Sequence, residues 1–375
     1  MTQWYCPLPF RHAFVDSTGI SACCQTPRYS TTLDQWHNHP SLKQLQQELL
    51  SGSIPSACNE CVQQENTQGR SLRTDSNQDY NHQIFRDTQI SFVDYRSSNI
   101  CNFKCRTCNP VFSHGISQEV KLHRSLSEFY QPTDSKIVTV TDENSEWILS
   151  NLSQIQRLMF TGGEPTVIPE VKTIIKKIVD DQLYTIQLLI TSNASFTDEF
   201  WYTLTESSTN LHWTLSIDAV GAAAEIVRHG TRWPVVAHNV HWMSKHSRSL
   251  DVNTVISHLN VFQLGPLLKF IRQAQLDSRA PHGRQGDLGL RHQFFITDSA
   301  VNWPDEQRQQ LIEYLNTCLQ LDLDSEQQSA VSGIILRLQN HKFNQLKWNR
   351  QFKLDTELDQ IRSEQHKILF EPAYI

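Results

Sequence analysis

The chain has 375 residues, of which 38% are hydrophobic and 19% charged, and its formal net charge is −6. This composition excludes wholesale disorder, and the length is sufficient for one large domain with a smaller one beside it. No apolar run of about 18 residues predicts a membrane span, and the first residues lack a secretory signal, so we expect a cytoplasmic protein. The negative charge argues against a broad, sequence-independent nucleic-acid surface.

The N-terminal segment, residues 1–85, is rich in Gln, Ser, Asn and Thr, and it predicts a single short helix from Ser41 to Leu50. A segment this polar buries little apolar surface, so metal ligation would have to supply its stability. We therefore expect residues 1–85 to form a small domain held by metal ligands.

Strands and helices alternate from about residue 89. Strands are predicted at 90–96, 157–161, 185–191, 211–217, 250–256 and 291–296. Helices are predicted from about Pro169, and near 197–208, 234–246 and 263–276. This alternation predicts an α/β fold with a parallel sheet, and six units predict a partial (β/α)6 TIM-like barrel over residues 86–300. Catalytic groups would gather at the C-terminal ends of its strands.

The last part of the chain has a helical and polar pattern. Helices are predicted near 304–320, 325–341 and 346–365, so residues 301–375 would form a helical C-terminal extension.

Eight of the nine cysteines lie between Cys6 and Cys108. Without a secretion signal, such clusters are typical of metal or iron–sulfur ligands rather than of disulfides.

Three of these cysteines, Cys101, Cys105 and Cys108, follow the first predicted strand with the spacing CxxxCxxC. Three thiolates in one loop can hold three irons of a cubane and leave the fourth iron open to an external ligand. The alternative is a zinc site completed by His114, because structural zinc takes four ligands.

A second motif, Gly162-Gly163-Glu164-Pro165, ends the second predicted strand. Glycines let the backbone approach a ligand closely, and a carboxylate beside them can pair with an ammonium group. Alone the motif is an ordinary turn, but one βα unit after CxxxCxxC it indicates a cofactor site.

These two motifs and the βα order make residues 89–300 resemble the radical S-adenosylmethionine (radical SAM) superfamily. The resemblance implies a 4Fe–4S cluster that binds SAM and an electron donor such as flavodoxin or ferredoxin. One electron from the cluster would cleave SAM to a 5′-deoxyadenosyl radical, which abstracts a substrate hydrogen. By the same resemblance, Glu164 beside Gly162 and Gly163 would receive the SAM ammonium.

The resemblance also implies SAM contacts at the ends of later strands. Ser192 and Asn193 would contact the sugar, and Ser216, Asp218 and Arg228 would contact the SAM carboxylate and ribose. The alternative for such strand-end residues, Ser216 and Arg228 among them, is that they are simple caps.

The N-terminal cysteines form a separate pattern, in which Cys6 and Cys24 give C-x12-G-x4-C and Cys58 and Cys61 give CxxC. This resembles the auxiliary-cluster domain called SPASM, or its shortened form, twitch, although in most relatives that domain follows the barrel. The resemblance implies a second, fully ligated 4Fe–4S cluster for electron transfer. Cys23 is the alternative to Cys24, and a four-cysteine zinc site is the alternative to the cluster.

Cys318 lies in a predicted helix and is a candidate hydrogen-atom donor to a substrate radical. The alternative is a small core residue.

The sequence therefore predicts a radical SAM enzyme, of the oxidoreductase or epimerase kind, that modifies a peptide or a small molecule. Nucleic acid is not the expected partner, but a tRNA-modifying radical SAM enzyme is an alternative. A non-catalytic zinc-binding scaffold is another.

Overall fold

The computed structural model describes residues 4–130, 137, 139–140, 142–278 and 289–373. Within these ranges the chain forms the strands β1 His12–Asp16, β2 Gly19–Ser21, β3 Phe92–Tyr95, β4 Lys104–Cys105, β5 Arg157–Phe160, β6 Gln187–Ser192, β7 Leu211–Ser216, β8 Arg228–His229, β9 Ser249–Ile256 and β10 Gly289–Ile296.

The helices of the same ranges are α1 Leu8–Arg11, α2 Leu33–Trp36, α3 Pro40–Leu50, α4 Asn59–Gln68, α5 Leu72–Asp79, α6 His114–Leu122, α7 Asp142–Ser150, α8 Pro169–Asp180, α9 Glu199–Ser207, α10 Gly221–Val227, α11 Trp233–His246, α12 Leu264–Ser278, α13 Asp305–Cys318, α14 Ser325–Asn340 and α15 Gln345–Arg362. No helix in the described part of the chain is both long and apolar enough to cross a membrane.

The chain folds into two compact units. The first comprises residues 1–99 and 137–189, and the second comprises residues 100–136 and 190–375. Eight of the strands belong to one mostly parallel sheet, while β4 and β8 form a separate antiparallel ribbon.

In the first unit, strand β1 lies between β2 and β3. It pairs antiparallel with β2 and parallel with β3, with His12 opposite Phe92, and β3 in turn pairs parallel with β5. Ala13, Phe14 and Val15 of β1 are fully buried, so this strand lies inside the core of the unit.

In the second unit, β7, β9 and β10 are parallel neighbours, with Ser216 opposite Asn253 and Ile256 opposite Ile296. Because these strands run in the same direction, their C-terminal ends lie at one edge. The polar residues that follow β7 and β9 therefore lie at a common edge of the sheet.

All six predicted strands are confirmed as β3, β5, β6, β7, β9 and β10, and the predicted C-terminal helices are confirmed as α13, α14 and α15. The helix predicted at 41–50 is α3.

The expectation that residues 1–85 bury little apolar surface is wrong. Strands β1 and β2 were not predicted, because the apolar run of β1, Ala13 to Val15, is short and is flanked by His12 and Asp16. Phe10, Leu33 and Trp36 are also almost completely buried, so this segment shares the core of the first unit.

Candidate functional site

The segment from Cys101 to Cys108, here called the cluster loop, is fixed by backbone hydrogen bonds in the second unit. Its central residues form β4, which pairs with β8 so that Cys105 lies opposite Arg228. The Arg106 amide donates to the Val227 carbonyl at 2.9 Å, and the Cys108 amide donates to the Cys105 carbonyl at 3.1 Å. The loop therefore presents its three half-buried thiols from a defined backbone.

A glycine lets the two strands of this ribbon approach closely. Gly230 has φ of +103°, and a Cβ there would lie 2.8 Å from the Asn102 carbonyl oxygen. Only glycine accepts both the backbone angle and the contact. The sequence motifs gave no indication of Gly230.

Arg228 brings a positive charge to the cluster loop. Its Nε donates to Asp218 Oδ2 at 2.7 Å, and its Nη1 lies 3.9 Å from Cys105 Sγ. Burial alone would lower the pKa of Arg228, but Asp218 and the Cys105 thiol outweigh it and raise the pKa. Burial raises the pKa of the Cys105 thiol to about 12, and Arg228 opposes that rise. A permanent cation beside a thiol favours the thiolate that a metal requires.

Four of the predicted SAM-binding residues line one cavity of the second unit: Asn193, Ser216, Asp218 and Arg228. The cavity is small, about 10 Å³, and Trp233 also lines it. Asn193 Nδ2 donates to Asn102 Oδ1 at 2.9 Å, which connects the end of β6 to the cluster loop. The structure thus brings together residues that lie far apart in the sequence.

Ser192 is not in that lining. It is buried, and its Oγ accepts a hydrogen bond from the Ala194 amide at 3.0 Å. This contact fits the alternative that Ser192 is a cap.

The Gly162-Gly163-Glu164 segment lies in the first unit, directly after β5. Gly162 has φ of +110°, and a Cβ there would lie 3.2 Å from the Ser98 carbonyl oxygen. The Gly163 amide donates to the same carbonyl at 3.1 Å. Glycine at position 162 is therefore required by the backbone itself.

Glu164 is 2% exposed. Its Oε1 accepts hydrogen bonds from the amide of Thr166 at 3.2 Å and from the Thr166 hydroxyl at 2.6 Å. These two bonds hold the carboxylate in one orientation.

Four of the N-terminal thiols interact with one another in the first unit. The pKa of Cys6 is raised, first by burial and then by repulsion from Cys23, Cys58 and Cys61. The pKa of Cys58 is raised to about 12 by burial and by Cys23 and Cys61. Cys61 Sγ also donates to Gln25 Oε1 at 2.9 Å. The thiols of Cys6, Cys23, Cys58 and Cys61 thus lie close enough to affect one another's pKa values.

Cys24, the thiol that the glycine spacing favours, has different surroundings. It is exposed, whereas Cys23 is buried. Burial of its sulfur raises its pKa, and the nearest charges acting on it are those of Asp94, Arg96 and Arg28. Of the two, Cys23, the alternative, is the one that interacts electrostatically with Cys6, Cys58 and Cys61.

The donor chemistry of these cysteines, rather than their spacing in the structure, fits the groups that the resemblance implies. All nine cysteines are thiols rather than disulfides. Within the described ranges, no three His, Cys, Asp or Glu side chains converge into a ready-made metal site. Three thiols within one loop beside Arg228 suit a cluster with one open iron, and four thiols suit a fully ligated cluster or zinc. The zinc alternative at the cluster loop would use His114, which begins α6 and whose Nδ1 has no hydrogen-bond partner within the described ranges.

Cys318 is the last residue of α13 and is fully buried. Burial raises the pKa of its thiol to about 11. This burial favours the alternative of a core residue over that of a hydrogen donor.

The sequence analysis missed a buried ionic network that connects α15 to the cluster loop. Arg106 Nη2 lies 2.5 Å from Asp359 Oδ1 and 2.6 Å from Glu364 Oε2, and its Nη1 lies 3.4 Å from Asp355 Oδ1. All three carboxylates belong to the C-terminal part of the chain, far from Arg106 in the sequence, so no local pattern reveals them.

Comparison with known proteins gives remote structural likenesses. No family model matches the chain, and no curated protein matches it. Streptococcus suis SuiB bound to S-adenosylmethionine has a TM-score of 0.33 and 14% identity, over 47% of this chain and 38% of that one. SuiB bound to its precursor peptide SuiA has a TM-score of 0.41 and 15% identity, over 76% of this chain and 60% of that one.

A third solved structure, TYW1 with a lysine-pyruvate adduct bound, has a TM-score of 0.30 and 12% identity, over 59% of this chain and 70% of that one. The chain spans 38% and 60% of the two SuiB chains. At these TM-scores we take neither activity nor substrate from the likenesses.

Proposed function

We propose that the protein is a radical SAM enzyme whose SAM-binding 4Fe–4S cluster is held by Cys101, Cys105 and Cys108. The observation that carries the proposal is the cluster loop beside Arg228 and Asp218, with three thiols on a fixed backbone and a half-buried cation at one of them. When bound, the cluster and SAM supply one-electron chemistry that generates a radical able to abstract hydrogen.

The chain's own residues would bind and orient SAM. Arg228 offers a guanidinium for the SAM carboxylate, and Asp218 offers carboxylate oxygens to the ribose hydroxyls. Asp218 is itself held in position, since its Oδ1 accepts the Val255 amide at 2.9 Å and its carbonyl accepts Asn260 Nδ2 at 2.7 Å. Ser216 and Asn193 line the same cavity and would contact the ribose. Glu164, with its carboxylate oriented by Thr166, would receive the SAM ammonium.

A second 4Fe–4S cluster would be held by Cys6, Cys23, Cys58 and Cys61. The set is supported by the electrostatic interactions among these thiols, which contribute to the raised pKa values of Cys6 and Cys58. A fully ligated cluster has no open iron for SAM, so its role would be electron transfer. Residues 1–85 would then be the twitch-like or SPASM-like domain, and residues 86–300 would be the radical SAM partial barrel.

The substrate class in this proposal is a peptide or a small molecule, and the electron donor is a flavodoxin or ferredoxin. The cytoplasmic location expected from the sequence stays a prediction.

The decisive experiment replaces Cys101, Cys105 and Cys108 together with Ala. After anaerobic reconstitution with iron and sulfide and reduction with dithionite, the wild-type protein should form 5′-deoxyadenosine from SAM, and the triple variant should form none. The variant should also lose about four irons per chain. Cys318→Ala is the matched control, because it removes a thiol outside the cluster loop, and it should cleave SAM like the wild type.

Two outcomes contradict the proposal. The first is undiminished SAM cleavage in the triple variant. The second is zinc, without iron, bound at Cys101, Cys105 and Cys108 in protein prepared under anaerobic conditions.

A further inference from the structure

The second unit contains a larger cavity that the proposed function does not use. Its volume is about 390 Å³, within the usual size range of small-molecule sites. Its walls come from residues that follow β9 and β10 and from the segment 341–354, which includes the first half of α15. Neither the thiols of the cluster loop nor Arg228 line it.

The charge around this cavity is positive. Lys342, Lys347 and Arg350 line it, and none of the three forms an ion pair with another described residue. Arg350 donates to the Glu128 carbonyl oxygen at 3.1 Å, which leaves its charge without a carboxylate. The acidic lining residue is Asp298, and it is paired with Arg337 at 3.2 Å. Three cations around one cavity raise the local concentration of anions.

A buried histidine in the same wall has an unused hydrogen-bonding atom. His258 is 4% exposed, and its Nε2 lies 2.7 Å from Asp355 Oδ2. Because a carboxylate accepts, Nε2 carries the proton and Nδ1 offers a lone pair. Nδ1 is buried and has no hydrogen-bond partner among the described residues. The same holds for Nε2 of His341, which also lines the cavity. A buried ring nitrogen that offers a lone pair cannot donate to an anion, so contacts to an anionic ligand would come from the cations of the cavity.

The rest of the wall is aromatic. Trp348 lines the cavity and packs against Trp303, with ring centroids 4.9 Å apart, and Phe129 lines it as well. An indole supported from behind by a second indole is a rigid, flat, apolar surface. Such a surface suits a planar apolar body rather than a bare inorganic ion.

We infer that this cavity binds a small organic anion, that is, a carboxylate or a phosphate monoester carried on a planar apolar body. The cations at its rim attract the anionic group, and Trp348 packs against the apolar body. This site goes beyond the proposed function, since nothing in it requires an iron–sulfur cluster or SAM.

The test measures binding to the full-length protein by calorimetry and by tryptophan fluorescence. Phenyl phosphate and benzoate are the anionic probes, benzyl alcohol is the neutral one, and inorganic phosphate lacks the apolar body. We expect at least one aromatic anion to bind with a Kd below about 1 mM, and both benzyl alcohol and inorganic phosphate to bind at least about 10-fold more weakly. Whichever of phenyl phosphate and benzoate binds with the lower Kd shows whether the site prefers a phosphate or a carboxylate.

Matched variants assign the binding to this cavity. The double variant Lys342→Gln/Lys347→Gln should weaken anion binding by about 10-fold. The double variant Lys353→Gln/Lys367→Gln removes the same charge from exposed positions outside the lining and should stay within about 2-fold of the wild type.

Three results would overturn the inference. They are no binding of either anion at about 10 mM, equal weakening in the two double variants, and binding of benzyl alcohol as tight as that of the anions. The triple cysteine variant should bind the anion like the wild type, so failure of this site and failure of the SAM chemistry are distinguishable.

Discussion

Cys23 and Cys24 are neighbours in the chain, yet their side chains have different surroundings. Consecutive side chains point in different directions, so only one of them can join the thiols of Cys6, Cys58 and Cys61. The buried Cys23 interacts with Cys61, whereas the exposed Cys24 lies near charged side chains. Glycine spacing in the sequence favoured Cys24, and only the folded backbone reveals which sulfur faces inward.

This difference predicts opposite results for two serine substitutions. In the proposed two-cluster protein, Cys23→Ser should lower the iron content by about half after anaerobic reconstitution, because one of two similar clusters loses a ligand. Cys24→Ser should keep the wild-type iron content. Iron and acid-labile sulfide analysis of the two variants measures this, and a reversed result would assign the ligand to Cys24.

Gly230 is a second position where one residue decides local structure. We expect Gly230→Ala to lower the free energy of unfolding by about 1–3 kcal/mol, because the methyl group would meet the Asn102 carbonyl at a strained backbone angle. Gly333 is the matched control, since it lies inside α14 with nothing within 4 Å of an added Cβ. Gly333→Ala should raise the free energy of unfolding by about 0.5–1 kcal/mol. Urea denaturation measures both, and equal shifts would show that Gly230 is not required.

At the scale of elements, α15 and α6 hold the cluster loop through buried ion pairs. Arg106 has no exposed side-chain surface and contacts three carboxylates of the C-terminal extension. On the other side, Glu119 of α6 accepts from Lys104 at 2.6 Å and from Arg362 at 2.6 Å. The helical extension therefore positions the residues between the candidate cluster ligands.

Removing the central cation of this network should destabilise the second unit. Arg106→Met leaves the carboxylates of Asp355, Asp359 and Glu364 without their shared partner, and we expect a loss of about 3–5 kcal/mol in the free energy of unfolding. Arg272→Met is the control, because Arg272 pairs with the exposed Asp322. It should cost at most about 1 kcal/mol.

Urea denaturation compares these two variants, and the iron content of reconstituted Arg106→Met reports on the cluster loop directly. If Arg106→Met unfolds like the wild type and binds the full amount of iron, the network does not hold the loop.

The elements differ in how far the sequence predicts them. The strands from β3 to β10 that join the sheet were predicted because each has a β-branched or apolar pattern. For β5 the helix that follows adds a clear apolar face, with Val171, Ile174 and Ile178 of α8. β1 was missed because its burial depends on pairing with β3, which follows much later in the chain. The cysteine motif was visible as a spacing, but the contacts of the cluster loop join Arg106 to Asp355 and Cys105 to Arg228, pairs that are distant in the sequence.

At the scale of the whole molecule, each unit buries a histidine that is neutral in the folded state. His12 of β1 and His292 of β10 both have pKa values lowered by burial, in the case of His292 to about 3. The neutral ring of His292 is satisfied on both sides, since its Nε2 lies 2.8 Å from Thr254 Oγ1 and its Nδ1 lies 3.3 Å from Gln327 Nε2. A second proton would leave one ring nitrogen facing an amide donor.

Protonation of the buried carboxylates also lowers the free energy of unfolding, but at a lower pH than the buried histidines do. Burial opposes ionisation of Glu364, but His229 and Arg106 outweigh it and lower the pKa of Glu364. A carboxyl whose folded pKa lies below its unfolded value near 4.5 stabilises the fold above that pH, and the contribution is lost as the pH falls below it. As the pH falls, histidines with depressed pKa values begin to lower the free energy of unfolding sooner, near their unfolded pKa of about 6.5.

His292 should therefore govern the first part of acid destabilisation in the second unit. As the pH falls through about 6.5, the unfolded chain takes up a proton at this position while the folded protein does not, so the free energy of unfolding falls until the pH reaches the folded pKa of about 3. Between pH 8 and pH 5 this loss amounts to about 2 kcal/mol.

His292→Gln should lower the free energy of unfolding at pH 8, because it disturbs the buried hydrogen bonds. Between pH 8 and pH 5, however, the free energy of unfolding of this variant should fall by about 2 kcal/mol less than that of the wild type. His238→Gln, at an exposed position, is the control for replacing an imidazole outside the core. Urea denaturation of the three proteins at both pH values gives the three differences, and a His292→Gln curve parallel to that of the wild type would show that His292 is already protonated in the folded protein.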